Sequence, residues 1–406
     1  MKRVLLIIFF VVFLPVRSFA VELPFSGFLE YGVGARVVDD DASDDEFLLE
    51  EARFQVDFLQ DGNVGSLQFK ADFVYDGIDA ESRVELRVAN ILVTPVSSID
   101  LKVGRQIITW GTGDFIFLND LFPKDFQSFF IGRDDEYLKK PSDAIRGTLF
   151  GDLLNLDLVW IPVFEPDGFI SGERLSFYDF GLGRKVGTID GVTDPREPGK
   201  TLGNSQLAGR LFGIFGGWET AIYGFRGNGG QPRELDPVEM RLTYPRLEAW
   251  GASLRGALLG GIGNAEVSLY RSLDDLDGTD PNVANSEVRG LIGYSREIIS
   301  NHSIGLQAYI EHALDFPDTG RIKQDRWWVT LRYTGLLMQQ NLILSWFSFY
   351  SPNENDAYLR PKVSYKFSDE VLVTLGGNLF LGKRIDTFFG QLQDNTNIYG
   401  RIRYSF

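Results

Sequence analysis

Leu67-Gln-Phe-Lys-Ala-Asp-Phe-Val-Tyr-Asp76 changes character at every second residue. Leu67, Phe69, Ala71, Phe73 and Tyr75 fall on one face, with Gln68, Lys70, Asp72 and Asp76 on the other. A strand repeats every two residues, so this one has an apolar medium on one side and a polar one on the other. The last residues do the same: Ile398, Gly400, Ile402, Tyr404 and Phe406 oppose Asn397, Tyr399, Arg401, Arg403 and Ser405. Comparable stretches lie at about 25–37, 47–60, 83–94, 100–110, 145–150, 154–163, 204–214, 217–227, 243–257, 264–273, 287–297, 302–314, 326–337, 341–351, 358–367 and 371–383, eighteen in all.

The connections alternate too. Short ones fall at Asp61-Gly62-Asn63, Pro95 to Ile99, Gly151 to Leu153, Gly216, Gly260 to Gly263, Ser300-Asn301, Gln339-Gln340 and Ser368-Asp369. Longer ones lie between them, at roughly 38–46, 77–82, 111–144, 164–203, 228–242, 274–286, 315–325, 353–357 and 384–396. Short turns on one side and long loops on the other, with an even strand number, predict a transmembrane antiparallel β-barrel of about 18 strands (range 14 to 18) in a bacterial outer membrane. A soluble sandwich or propeller would also alternate. It would have no use for aromatic girdles, which Tyr31, Tyr75, Trp110, Trp160, Trp250, Trp327, Trp328, Tyr350 and Tyr358 are placed to form near strand ends.

Composition supports this reading. The 406 residues include 44 Gly, 33 Phe and 15 Tyr but no Cys, so stability must come from burial and backbone pairing. Lys2 and Arg3, the apolar run Val4 to Val16 and Ser18-Phe19-Ala20 predict a secretory signal peptide over 1–20, followed by one barrel domain over 21–406. Losing Lys2, Arg3 and Arg17 takes 40 bases to 37 against 56 acids, a net charge of −19 that argues against nucleic acid as a partner. The first strand starts so soon after the cleavage site that no length is left for a separate plug. The partners expected instead are outer-membrane lipid and lipopolysaccharide, the barrel-assembly machinery for which terminal Phe406 is a signature, and a small solute of unknown identity.

A barrel this wide is not filled by its own wall side chains, so loops must narrow it or leave it open. Segments 111–144 and 164–203 are long enough to fold toward the lumen. The first carries six phenylalanines, at 115, 117, 122, 126, 129 and 130, a load that should not stay in water. It is either a hydrophobic constriction or an element anchored by its rings. Asn119, Asp120, Lys124, Asp125, Arg133, Asp134 and Asp135 are its polar groups for orienting a solute.

Leu101-Lys-Val-Gly-Arg-Gln-Ile-Ile-Thr-Trp-Gly111 and Leu118-Asn-Asp-Leu-Phe-Pro-Lys-Asp125 resemble the Gly-Arg-Gln, Trp-Gly and Asn-Pro-x-Asp pattern of a porin-like family of bacterial outer-membrane β-barrels, with Phe122-Pro123 in place of Asn-Pro. The chain is more distantly similar to alginate-export-type barrels. The resemblance implies a barrel conduit and brings no substrate with it. Gly104 and Gly111 would let loop backbone approach the wall. Arg105 and Gln106 lie on opposite faces, and an Arg105 in lipid would need a partner or the interface.

Alternation also assigns lumen charges. Arg360, Lys362, Lys366, Arg401 and Arg403 fall on inward faces of the last strands, and Glu30, Arg36, Glu51, Arg53, Asp57, Lys70, Asp72, Glu85 and Arg87 on the first. The barrel closes last strand to first, so the two sets should meet as a salt-bridged wall or a transverse field. An alginate-type exporter would be lined with bases far more heavily. No catalytic set can be drawn: there is no Cys and no Gly-x-Ser-x-Gly, and His302 and His312 share an outward face. Neither a cofactor nor a metal is expected. The acidic runs Asp39 to Glu46 and Asp274 to Asp280 read as solvated loop surface before calcium sites. The function implied is passive passage of small, apolar or amphipathic solutes. The alternative is a loop-closed accessory barrel working beside an exporter or in lipid handling.

Overall fold

The computed structural model describes residues 25–316 and 323–406, so the expected signal peptide lies outside the described residues. The wall begins with β1 (Phe25–Arg36), β2 (Phe47–Gly62), β3 (Gly65–Asp76), β4 (Glu81–Val96), β5 (Ile99–Gln106), β6 (Ser142–Leu149) and β7 (Asn155–Ile161). A small hairpin, β8 (Phe177–Asp179) and β9 (Arg184–Val186), stands in the loop before β10 (Gln206–Phe215) and β11 (Trp218–Asn228). A second hairpin, β12 (Glu234–Asp236) and β13 (Arg241–Thr243), precedes β14 (Arg246–Leu258), β15 (Gly261–Ser272), β16 (Glu287–Ile299) and β17 (His302–Ala313). The wall ends with β18 (Asp325–Leu337), β19 (Leu342–Ser351), β20 (Asp356–Lys366), β21 (Val371–Gly382) and β22 (Asn397–Ser405).

Leaving out the two loop hairpins, eighteen strands form one antiparallel sheet. It closes where β1 pairs with β22, from Phe28 opposite Ser405 to Arg36 opposite Asn397. Closure leaves no unpaired edge. Terminal Phe406 extends the seam through backbone hydrogen bonds in both directions with Gly27 and stacks its ring on Phe54. The eighteen strands and the alternation of short turns with long loops are those the sequence predicts. At the tightest turns the backbone explains the residues: Gly216 and Gly217 both have positive φ, +58° and +83°, as a two-residue turn of type I′ requires.

Side-chain direction separates the two faces. Leu29, Phe73, Leu158, Ile222, Val267, Ile292, Leu306 and Ile402 stand exposed on the outer face, along with Tyr31, Tyr75, Trp250, Trp327 and Tyr350 from the expected girdles. A soluble protein rarely exposes a continuous apolar belt of this extent, and lipid is the medium that covers it. Trp160 is partly exposed. Trp110, Trp328 and Tyr358 are corrections: they face inward, and Trp110 and Tyr358 are buried. Tyr358 shares its face of β20 with Arg360 and Lys362, while Trp328 is the inward neighbour of outward Trp327. Trp110 is not on a strand at all. The expected strand 100–110 stops at Gln106, where the chain leaves the wall and takes Ile108 and Trp110 inside.

Candidate constriction inside the barrel

Residues 107–141 leave the top of β5, cross the lumen and return to β6. Gly104, at φ +120°, starts the departure: a Cβ there would come within 2.3 Å of the Ala89 carbonyl oxygen. Gly111, at φ +80°, brings the loop against β15, where a Cβ would come within about 3.1 Å of the Glu266 carboxylate. That carboxylate is the loop's main anchor. It is buried, and it accepts from Thr112 N and Oγ1, from Gly113 N at 2.7 Å and from Asn119 Nδ2 at 2.8 Å. Further round, Gln307 of β17 accepts from Asp114 N and donates to Asp114 O, and Arg332 of β18 holds the Asp114 carboxylate at 2.7 Å.

The six phenylalanines divide between two apolar clusters. On one side Phe115, Phe129 and Phe130 pack against Phe347 and Phe349 of β19, Tyr358 of β20 and Phe380 of β21, and Phe389 of the last loop closes over them. On the other side Phe122 packs edge-on against Trp110, with Tyr223 and Phe225 of β11 behind. Ring pairs like these add about 0.5–1.5 kcal/mol each beyond area burial. The loop is therefore fixed to opposite walls. Phe126 opens a single helical turn, α1 (Phe126–Ile131), which Asp125 caps by accepting from Ser128 N and Oγ. Gly132, at φ +95°, ends it where any Cβ would strike the Tyr399 ring.

The far end of the loop is held by charge. Arg133 pairs with Glu51, and Asp134 lies 2.9 Å from Arg401. Asp135 bridges Arg360 and Lys362, each at 2.8 Å, and Glu136 lies 3.4 Å from Arg403. Tyr137 sits under the guanidiniums of Arg53 and Arg87. Burial alone would raise the Asp135 carboxyl's pKa, but Arg360 and Lys362 outweigh it and hold the group below the usual carboxylate range. The Asp135 bridge is thereby favoured in its charged form, whereas burial moves the Glu136 carboxyl the other way.

Several of the other proposed lumen charges are also paired, whereas Arg87 donates to the Glu136 and Lys139 carbonyls. Arg53 contacts Asp72 at 2.6 Å and Glu85 at 2.8 Å, Lys70 meets Asp57, and Arg403 meets Glu30 across the closing seam. Lys366 stands exposed at the end of β20. Within the loop, Lys124 is buried against Asp120, whose other oxygen accepts from Thr109. Asn119, Asp120, Lys124 and Asp125 are thus engaged in holding the loop's shape. On the outer face Arg105 is paired with Asp143 at 3.2 Å and Glu165 at 3.7 Å, while Gln106 points inward and is buried. Both histidines lie at rims, His302 bonded to Tyr333 and His312 to Asp325.

Above the loop, at the long-loop end of the barrel, lies a cavity of about 470 Å³. Phe115, Phe117, Phe126 and Phe130 form its floor, with Phe169 and Ile170 of the 162–205 loop beside them. The facing wall is charged: Glu287 and Arg289 of β16, Glu311 of β17 and Arg326 of β18, with Arg289 stacked 3.9 Å from the Tyr270 ring. Of the six phenylalanines and seven polar residues singled out in this loop, Phe115, Phe117, Asp120, Phe122, Lys124, Phe126 and Phe130 reach this cavity. Asn119, Asp125, Phe129, Arg133, Asp134 and Asp135 do not. The sequence gives no sign of Glu266, Gln307 or the β16–β18 charges as partners of this loop. They are single polar residues on alternating strands, Glu266 and Gln307 lying 147 or more positions from the loop residues they hold, and nothing local marks them.

The β12–β13 hairpin, whose Leu242 lines the cavity, carries a carboxyl shifted toward neutrality. Glu234, on the β12–β13 hairpin, is pushed up to about 7 by burial and by the Asp274 carboxylate beside it. Its folded value lies above its ordinary one of 4.5. Its contribution to hairpin docking is therefore complete below that ordinary value and is lost as pH rises through about 7. Proteolysis within 229–245 should speed up from pH 5 to pH 8, and Glu234→Gln should flatten that profile.

A closed eighteen-stranded barrel with a lipid-facing belt, a polar inner wall and long loops at one end is an outer-membrane β-barrel. No family model matches the chain, and no curated protein matches it in sequence. Among solved structures, OccAB3 of Acinetobacter baumannii superposes with a TM-score of 0.55 and 11% identity over 94% of this chain and 98% of that one. OccK3 (OpdO) of Pseudomonas aeruginosa gives 0.54 and 12%, over 94% of each chain. OccD3 (OpdP) of the same organism gives 0.53 and 10%, over 94% and 90%. What this chain shares with them is the fold.

Proposed function

We propose that the barrel is a passive, porin-like channel for small amphipathic solutes, which collect in the cavity above the inward loop and pass between loop and wall. The observation that carries this reading is the cavity's two-sidedness: a floor of phenylalanine faces opposite a wall of alternating Glu and Arg. Its volume suits one small molecule. The apolar part of a solute loses water against the floor, while a polar part keeps hydrogen-bonding partners along the wall. The resemblance to porin-like barrels supports a conduit, and the paired acids and bases of the wall do not suit an alginate-type exporter. No step calls for a catalytic residue or a cofactor. Lipopolysaccharide around the outer rim and the assembly machinery acting on the Phe406 strand are the partners this reading takes on.

Swelling of proteoliposomes tests the solute class. A phenyl glucoside should enter several-fold faster than a disaccharide of similar size, and equal rates would remove the amphipathic preference. The packing of the loop on opposite walls favours one competing reading, a barrel kept closed by its loops. It predicts no swelling with either solute.

A further inference from the structure

The outer face of β1–β3 differs from the rest of the lipid-facing belt. Phe25, Phe47, Phe54, Phe58, Phe69 and Phe73 all point outward there. The other phenylalanines of the wall strands turn inward, except Phe215 at the last position of β10, and the belt elsewhere is built mainly of Leu, Ile and Val. Cross-strand register sets the rings in two ridges. Phe25, Phe58 and Phe69 form one; Leu29, Phe54 and Phe73 form the other, with Phe406 stacked on Phe54.

On the adjoining strand the wall itself is incomplete at the rim. β5 turns inward after Gln106, so β4 above Ala89 keeps β3 on one side and has no strand on the other. Leu86 O points across that gap and accepts from Arg105 Nε at 2.8 Å. Strand alternation turns the N–H and C=O groups of Ser82 and Val84 the same way, and no backbone hydrogen bond reaches them among the described residues. Val84 stands opposite Phe73 and is 64% exposed. Free backbone groups at the depth of lipid-facing rings cannot be left to acyl chains.

We infer that the outer face of β1–β4 is where a second copy of this chain packs. Both copies insert the same way up, so a two-fold axis along the membrane normal relates them, and the same residues make the contact on each side. Two observations select a second copy as the occupant. The first is depth. The axis sets each ridge level with its counterpart, so Phe54 and Phe58 of β2 meet their own equivalents, and ring pairs add to plain area burial. Lipid tails are as apolar as the belt, so close packing of this kind is what holds two spanning surfaces together. The second is area. Tyr31, Tyr75, Phe406 and the exposed phenylalanines of this face are each between 37% and 52% open. At about 200 Å² for a whole ring residue they offer about 700 Å² per copy, about 1,400 Å² in all, within the range a specific interface buries. The mate's flank also shields the open β4 rim from lipid. This inference is independent of the solute and of its path.

Because the chain has no cysteine, the contact can be probed with single thiols in outer-membrane vesicles. Val56→Cys, on β2 between Phe54 and Phe58, would be bridged with a short bifunctional maleimide, with Ile222→Cys on the outer face of β11 as the control. The 56 thiol should give a product of two chains, several-fold more of it than the 222 thiol gives. Adding Phe54→Ala and Phe73→Ala to the Val56→Cys chain should cut that product several-fold while the unheated protein still migrates as a folded barrel. Should that pair not fold, Phe69→Ala alone gives the same readout with a smaller cut. Equal bridging at 56 and 222, or a yield that the alanines leave unchanged in a folded barrel, would overturn the inference.

Discussion

Replacing residues 115–131 with a flexible Gly-Ser linker of equal length is expected to raise the single-channel conductance of the refolded barrel several-fold. The linker removes Phe115, Phe129 and Phe130 from the aromatic packing on β19–β21, and Phe122 from Trp110. Nothing apolar then holds the segment across the lumen, and an eighteen-stranded wall without an inner element encloses a water-filled bore. The wall itself should persist, because all eighteen strand pairings lie outside the replaced residues. Planar-bilayer recording with unchanged circular dichroism is the measurement. A variant with native conductance would show that the loop is not what narrows the path.

The second large effect is expected at Glu266. Its carboxylate accepts four hydrogen bonds from Thr112, Gly113 and Asn119, three of them from two successive residues at the point where the loop first meets the wall. Glu266→Ala leaves two backbone N–H groups and two side-chain donors without their acceptor. A charged acceptor of this kind is worth about 3 kcal/mol or more once stranded donors are included. That corresponds to on the order of a hundredfold more undocked loop. The recorded current should change from steady to flickering, with long-lived visits to the conductance of the linker variant. Glu266→Gln should lie between the two, since one oxygen remains to accept but the amide presents hydrogens toward Thr112 or Asn119.

How far the sequence discloses this arrangement depends on range. The barrel is legible because its cause is local: each strand must alternate between lipid and lumen, and Leu67 to Asp76 shows this without reference to any other residue. The inward loop is legible in part, because six phenylalanines in a predicted loop need burial. Where they are buried is not, because Phe130 meets Tyr358 and Phe380 more than 200 positions away and no local pattern joins them. The aromatic girdles show the same limit from the other side. Tyr358 and Trp328 lie near strand ends, where a girdle residue belongs. The period of two had already placed Tyr358 on the face of Arg360 and Lys362, and it put only one of Trp327 and Trp328 on the outside. Parity was the better guide than position along the strand. Phe388-Phe389 in an otherwise polar loop was a usable signal for a second inward segment.

The proposed path of solute and ions runs over the phenylalanine floor. It is tested most directly by placing a single cysteine there, Phe117→Cys, and recording current while a bulky thiol reagent is added from the wide-loop side. The account predicts a stepwise, lasting fall in current that a reductant reverses when the attached group is linked by a disulfide, while the cysteine-free parent is unaffected. Full current through a barrel that mass spectrometry shows to be labelled at residue 117 would contradict it, because the path would then run elsewhere.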